Sequence, residues 1–300
     1  MQKFIMKYII PVFVFLSFAN NLFAQEQNKT QVSTQIKDQP VQVTVPTKTT
    51  ATFLGGLVFA PRLHYFGRTD SLKSNALLPT FTIQFDSVGL YFSGTAVFLS
   101  NTLQSLLYAG TIVEAGYRFG KQKGLTGNIY GNKFFYNTTQ LPQSAFNEQV
   151  GANFNYLMKP FNISATGSSA FSKERTDFFA STGVNKFFKK KLKNAVFLVS
   201  PTYVLNAGSQ NFTNVRMKAG LLGGITGTGQ QTIENNRRFK ILSHEISIPL
   251  IYARKHIYFI VTPSYVIPEN IVTIPNKPNL SEYAKNLFYV NATILYSFKK

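Results

Sequence analysis

Past residue 50 the apolar side chains recur at every second position, in segments of about 10 to 14 residues separated by turns rich in Gly, Pro, Asn, Lys and Ser. That period belongs to β-strands with one greasy and one wet face. Between Phe146 and Tyr156, the residues Phe146, Val150, Ala152, Phe154 and Tyr156 share one face, and Asn147, Gln149, Gly151, Asn153 and Asn155 share the other. The next segment sets Phe161, Ile163, Ala165, Gly167 and Phe171 against Asn162, Ser164, Thr166, Ser168 and Ser172. No helical period persists and no apolar run approaches the roughly 20 residues of a spanning helix.

Composition narrows what such strands can build. Charged residues are 14%, while 29 Phe and 15 Tyr bring aromatics to 15%, with no Trp. A chain this polar yet this poorly charged suits a lipid boundary better than a water-facing surface. The absence of Cys excludes disulfides, thiolate zinc sites and thiol nucleophiles. The formal charge of +19 usually raises the question of nucleic acid, but no groove-reading motif accompanies it and no nucleic-acid partner is expected.

The first 24 residues explain where such a chain is sent. Lys3 and Lys7 precede an apolar stretch from Tyr8 to Ala19, and Asn20-Asn21-Leu22-Phe23-Ala24 ends on a small residue. That is the layout of a secretory signal peptide. Residues 25–50, rich in Gln, Thr, Lys and Val, read as a disordered periplasmic tail, in which Val41 to Val45 alternates well enough to add to a sheet edge. Residues 51–300 are left as one domain.

The final segment sets Phe288, Val290, Ala292, Ile294, Tyr296 and Phe298 on one face and Tyr289, Asn291, Thr293 and Ser297 on the other. A terminal amphipathic strand ending on an aromatic resembles the assembly signal of Gram-negative outer-membrane β-barrels, with Tyr296 and Phe298 in the signal positions. Two lysines follow Phe298, where that family commonly ends on the aromatic. The resemblance implies an all-β fold, an antiparallel transmembrane β-barrel in the bacterial outer membrane, with outer-membrane lipids and the barrel-assembly machinery as partners. A secreted β-sandwich is the soluble alternative.

A spanning sheet has to close so that no backbone polar group faces lipid, with apolar side chains outside and polar ones within. With both ends in the periplasm the strand number is even. Twelve strands are expected, near 52–66, 76–86, 88–99, 106–119, 127–137, 146–157, 161–172, 177–188, 194–205, 238–252, 256–267 and 287–298. Fourteen is the alternative, and residues 206–238 and 268–286 are the long external excursions.

Alternation points Arg62, His64, Gln84, Glu114, Arg118, Asn153, Asn155, Lys186 and Glu245 toward the lumen. Basic residues outnumber acids there, so a water-filled path would favour anions. Glu114 and Arg118 lie four apart on a strand, about 13 Å, too far to pair directly. At the short periplasmic turns Lys121, Lys123, Lys159, Lys189, Lys190, Lys191, Lys193, Arg254 and Lys255 form a basic rim, suited to anionic lipid or an acidic periplasmic partner. A solvated edge that discourages strand pairing is the plainer reading. Aromatics at strand ends, among them Tyr65-Phe66, Phe134-Phe135-Tyr136 and Phe187-Phe188, are expected to form the interfacial girdles.

Three functions remain open: a narrow porin-like channel for small solutes with anions favoured, a closed structural or assembly barrel binding surface or periplasmic proteins, and a lipid-modifying enzyme. The last would need a Ser near His64, His244 or His256, whereas Ser243 and His244 are adjacent and so face opposite ways. No catalysis, cofactor or metal is expected. The run Gly220 to Gly229 lacks the Lys and Ser or Thr of a phosphate loop.

Overall fold

The computed structural model describes residues 51–69, 73–120, 124–137, 146–158, 160–172, 175–211, 238–272 and 283–299. Residues 1–50, over which a signal peptide and a tail are expected, Lys121, Lys123, Lys159 and the segments 212–237 and 273–282 lie outside the described residues.

The described chain is all strand apart from turns. Its elements are β1 (Ala51–Ala60), β2 (His64–Tyr65), β3 (Arg68–Thr69), β4 (Asn75–Phe85), β5 (Leu90–Asn101), β6 (Gln104–Gly120), β7 (Leu125–Tyr136), β8 (Phe146–Met158) and β9 (Phe161–Ser172). There follow β10 (Thr176–Lys186), β11 (Phe188–Lys191), β12 (Val196–Val199), β13 (Thr202–Gly208), β14 (Lys240–Ser247), β15 (Leu250–Arg254), β16 (Ile257–Pro268), β17 (Tyr283–Ala284) and β18 (Leu287–Lys299). All neighbours in the sheet are antiparallel, and β18 pairs with both β16 and β1, which closes the ring. Taking β10 with β11, β12 with β13 and β14 with β15 as broken single strands, the barrel has the expected twelve.

The breaks fall where the ladder loses a donor or kinks. Pro201 follows β12, Pro249 follows β14 and Pro263 lies within β16. Proline has no N–H for the ladder. At the resulting gap single bonds remain: Lys186 N donates to Pro201 O, Ser200 N to Pro249 O and Ile248 N to Pro263 O, at 3.2, 3.0 and 3.0 Å. The three strands expected to run unbroken over 177–188, 194–205 and 238–252 are therefore each interrupted at this seam.

The start of β1 and the end of β18 share one end of the barrel, called here the near end; the opposite end is the far end. Turns at 86–89, 192–195 and 255–256 are at the near end, and the strand ends that flank 206–238 and 268–286 are at the far end, as expected. The outward face is apolar and exposed along its length, with Leu57, Phe81, Phe92, Val113, Ile129, Phe154, Ile246, Phe259 and Ile294 among many. A closed hydrogen-bonded ring with such a belt is what hydrocarbon requires.

The first strand is shorter than its alternation promises. It ends at Ala60, and residues 61–74 turn back as the β2–β3 hairpin, which pairs through β3 with β17. The hairpin turn is Phe66-Gly67, with φ of 52° and 77°, so both central residues are left-handed, as a two-residue hairpin favours. Gly67 is needed there: a Cβ would meet Pro268 Cβ and Val266 Cγ1 at 3.0 Å. Tyr65 and Phe66, expected in an outer girdle, instead pack inside against Phe179, at ring-centroid distances of 5.7 and 5.5 Å.

Candidate lumen and its far-end hairpin

Inward residues follow from the ladder. On β4 these are Ala76, Leu78, Thr80, Thr82 and Gln84; across β5, β6 and β7 they include Tyr91, Ser93, Glu114, Arg118, Asn128 and Tyr130. Glu114, Asn155 and Glu245 are buried inside as expected, and Asn153 is half-buried on the same wall. Arg118 also lies on this wall, its guanidinium 5.0 Å from the centre of the Tyr91 ring and hydrogen-bonded to the Gln84 side-chain carbonyl.

These groups form one chain of contacts around half the barrel. Thr166 Oγ1 donates to Asn153 Oδ1 (2.7 Å), Asn153 Nδ2 to Asn128 Oδ1 (2.9 Å) and Asn128 Nδ2 to Tyr91 OH (3.0 Å). Tyr91 in turn is hydrogen-bonded to Glu114. Glu114 and Arg118 thus find their neighbours on other strands, as their spacing demands, with Tyr91 between them. The Tyr91 ring fits because its direct cross-strand partner is Gly116, where a Cβ would lie 2.5 Å from the ring. Tyr130 lies over Gly151 in the same way. A ring laid on a glycine of the next strand covers the exposed backbone and pins register.

On the opposite wall Tyr289 OH donates to Glu245 Oε1 at 2.9 Å, and its ring lies 4.6 Å from that of His64. His64 is therefore inside the barrel, but on the hairpin and not on β1 as its alternation implied. Arg62 lies past the end of β1 and is half-buried.

The hairpin is held by a buried cation. Arg68 is 1% exposed, and its guanidinium donates to the carbonyls of Phe66 (3.1 Å), Leu242 (3.2 Å), Glu269 (2.9 Å) and Asn270 (3.4 Å). Leu242 is available because a bulge between Asn206 and Ala207 on the partner register leaves it as the extra residue of β14. Sequence reasoning missed Arg68 entirely, since nothing local marks a loop arginine as an internal clamp.

Two other expectations are corrected. Phe146, placed with the outward aromatics, is inward and 2% exposed, 6.0 Å from Tyr65. A register shift between Phe146 and Glu148 resets the alternation there. Lys186, placed in the lumen, is directly opposite Phe161 in the ladder, and its ammonium lies over the outward rings of Phe161 and Phe188 at 5.9 and 5.3 Å. With Lys186 outside, the charged groups buried within the barrel include the carboxylates of Glu114, Asp177 and Glu245 and the guanidinium of Arg68, with Arg118 on the same inner wall. Of the rim, Lys189, Lys190, Lys191, Lys193, Arg254 and Lys255 lie at the near end.

Two apolar clusters narrow the lumen. Val58, Leu78, Leu99, Ile112 and Val266 gather toward the far end, and Leu54, Leu198, Ile251, Tyr258, Ile260 and Leu295 toward the near end. Between them Ser93, Asn153, Thr166, Ser168 and Ser181 face inward yet are only half-buried. Their free surface can be reached only from within the barrel.

Burial lowers the pKa of His64 to about 3, so its imidazole is neutral inside the hairpin at ordinary pH. The stabilisation this gives is complete above the unfolded value near 6.5 and is lost as pH falls from there toward 3, because only the released hairpin takes up the proton. The groups around it are Tyr289 and, through it, Glu245 on the wall, with Tyr65 and Arg68 on the hairpin. Acidification over that range is expected to speed hydrogen exchange of the hairpin amides in wild type, and His64→Gln is expected to flatten the dependence.

The class these features define is a twelve-stranded antiparallel β-barrel of the outer-membrane type. No family model matches the chain, and no curated protein matches it. Among solved structures it is similar to the KdgM porin, with 11% identity, a TM-score of 0.42 and coverage of 83% of this chain and 99% of that one. It is also similar to the NanC porin, with 12% identity, a TM-score of 0.41 and coverage of 82% and 98%. LpxR from Salmonella typhimurium, at 8% identity and a TM-score of 0.40, covers 81% of this chain with 99% of its own. Function has to come from the chain's own residues. As to catalysis, His244 Nδ1 is hydrogen-bonded to Tyr203 OH at 2.7 Å on the outward face, while Ser243 is bonded inside to Asn206 at 3.0 Å.

Proposed function

We propose that the protein is a narrow channel of the bacterial outer membrane for small polar solutes, occluded at its far mouth by the β2–β3 hairpin. The observation that carries this reading is the patch of inward but half-buried hydroxyl and amide groups, Ser93, Asn153, Thr166, Ser168 and Ser181. Neither lipid nor packing accounts for polar surface in that place, and water-lined passage does. Anion preference is assigned to the near mouth, where Lys189, Lys191 and Lys193 raise the local anion concentration, and not to the balance of charge in the lumen. Export by residues 1–24 and assembly through Tyr296 and Phe298 complete the reading.

The test is conductance of the refolded protein in a planar bilayer under a salt gradient. Small discrete steps with an anion-favouring reversal potential are expected. Arg118→Glu is expected to move the reversal potential toward cation preference, since it converts a luminal cation beside Tyr91 to an anion. The second reading, a closed barrel presenting its loops and basic rim to protein partners, is favoured by the two apolar clusters. It would stand if the protein stays silent even after the hairpin is released.

A further inference from the structure

We propose that the outward near-end surface of β10 through β16 is a docking site for the phosphate headgroup of an acidic phospholipid. The register sets Lys190 opposite Phe197, Phe197 opposite Tyr252 and Tyr252 opposite Phe259. This row faces outward, because Val196, Leu198, Ile251, Ala253, Tyr258 and Ile260 hold the buried inward places on the same strands. Arg254 lies two residues beyond Tyr252 toward the barrel end and is exposed. By strand spacing and rise its Cα lies about 12 Å from that of Lys190. Lys186, about 13 Å along the strand from Lys190, completes the patch with its ammonium over Phe161 and Phe188.

Two features select the ligand. The cations are unbalanced: Lys186, Lys190 and Arg254 have no carboxylate partner among the described residues, whereas outward Lys133 toward the far end is paired with Glu148. They are also interleaved with exposed aromatics, Phe188 at 51% and Phe259 at 44%. Aromatic rings of this kind settle at headgroup depth, and long cationic side chains lay their stems along them while the charge reaches the phosphate layer. A water-borne acidic protein would complement the charge but leave the rings uncovered; an acidic lipid satisfies both. The inference is independent of whether the lumen conducts.

The chain has no Trp, so one introduced indole reports its own lipid neighbours. Phe259→Trp places it in the patch, and Phe135→Trp, outward toward the far end, is the control. Each protein is reconstituted in phosphatidylcholine vesicles holding a minority of phosphatidylglycerol, with bromine on the acyl chains of one lipid or the other. Quenching at position 259 is expected to show a preference for phosphatidylglycerol of about fivefold, the ratio one basic residue near an anionic surface supplies. The preference should fall with added salt, disappear in Lys186→Gln/Lys190→Gln/Arg254→Gln, and be absent at position 135. Equal quenching by the two lipids at position 259, or a preference that survives the triple change and high salt, overturns the proposal; the first result would turn the patch over to an acidic protein.

Discussion

Arg68→Leu is expected to raise the conductance of the reconstituted barrel several-fold while leaving the barrel folded. The substitution removes the donor shared by the carbonyls of Phe66, Leu242, Glu269 and Asn270. Leu242 O keeps the Glu269 N–H and Asn270 O keeps Gln210 Nε2, whereas the carbonyls of Phe66 and Glu269 lose the guanidinium. A buried acceptor left without a donor costs about 1–3 kcal/mol, and releasing the hairpin lets water replace the guanidinium. The strands of the ring keep their ladders because, among the described residues, the hairpin pairs only within itself and with β17. Since the chain lacks cysteine, a single Thr69→Cys on the buried hairpin gives a second readout, the rate of modification by a water-soluble thiol reagent. Faster modification without conductance would keep the hairpin mobile but end the channel reading; unchanged modification would show that Arg68 does not hold it.

The other large effect is expected at Gly116→Val. A Cβ there meets three atoms of the Tyr91 ring at 2.5 to 2.6 Å, and Tyr91 is fully buried. The ring must give way, so either β5 and β6 separate or Tyr91 leaves Glu114 and Asn128. Overpacking of this kind costs about 1–3 kcal/mol, and the broken contacts of two buried polar groups add to it. Folding into detergent micelles, followed by the shift in gel mobility on heating, should show a lower yield and an earlier melting point. Pairing the change with Tyr91→Ala should recover much of the melting point, and the size of the recovery measures the coupling between the two sites.

What could be read in advance follows from which signals are local. Alternation in Phe161 to Ser172 or Phe288 to Phe298 survives intact because neither strand carries the extra residue of a bulge, the one in the β8–β9 ladder lying on β8. The same rule placed Glu114, Asn155 and Glu245 inside. It failed where a nonlocal event resets the count. The bulge that turns Phe146 inward is a property of the pairing with β9, and nothing in Phe146 to Gln149 announces it. Alternation over 52–66 could not show that β1 stops at Ala60, because His64 and Tyr65 continue as strand, only in a different sheet. Lys186 is a second failure of the alternation rule: the register opposite Phe161 sends it out. The candidate site was less legible than the fold. Arg68 owes its place to carbonyls 174 to 202 residues away in the chain, a distance over which no motif operates.

The line of prolines has a mechanical consequence. A closed barrel behaves as a hoop, whose resistance to being stretched around its girth is set by the weakest joint between neighbouring staves. At Pro201, Pro249 and Pro263 three successive joints are reduced to lone bonds at one height, so circumferential load concentrates there while the joints β6–β7 and β7–β8 carry continuous ladders. The wall is therefore compliant on one side and stiff on the other. Any widening of the lumen is directed toward that side, away from the stave that bears Arg118.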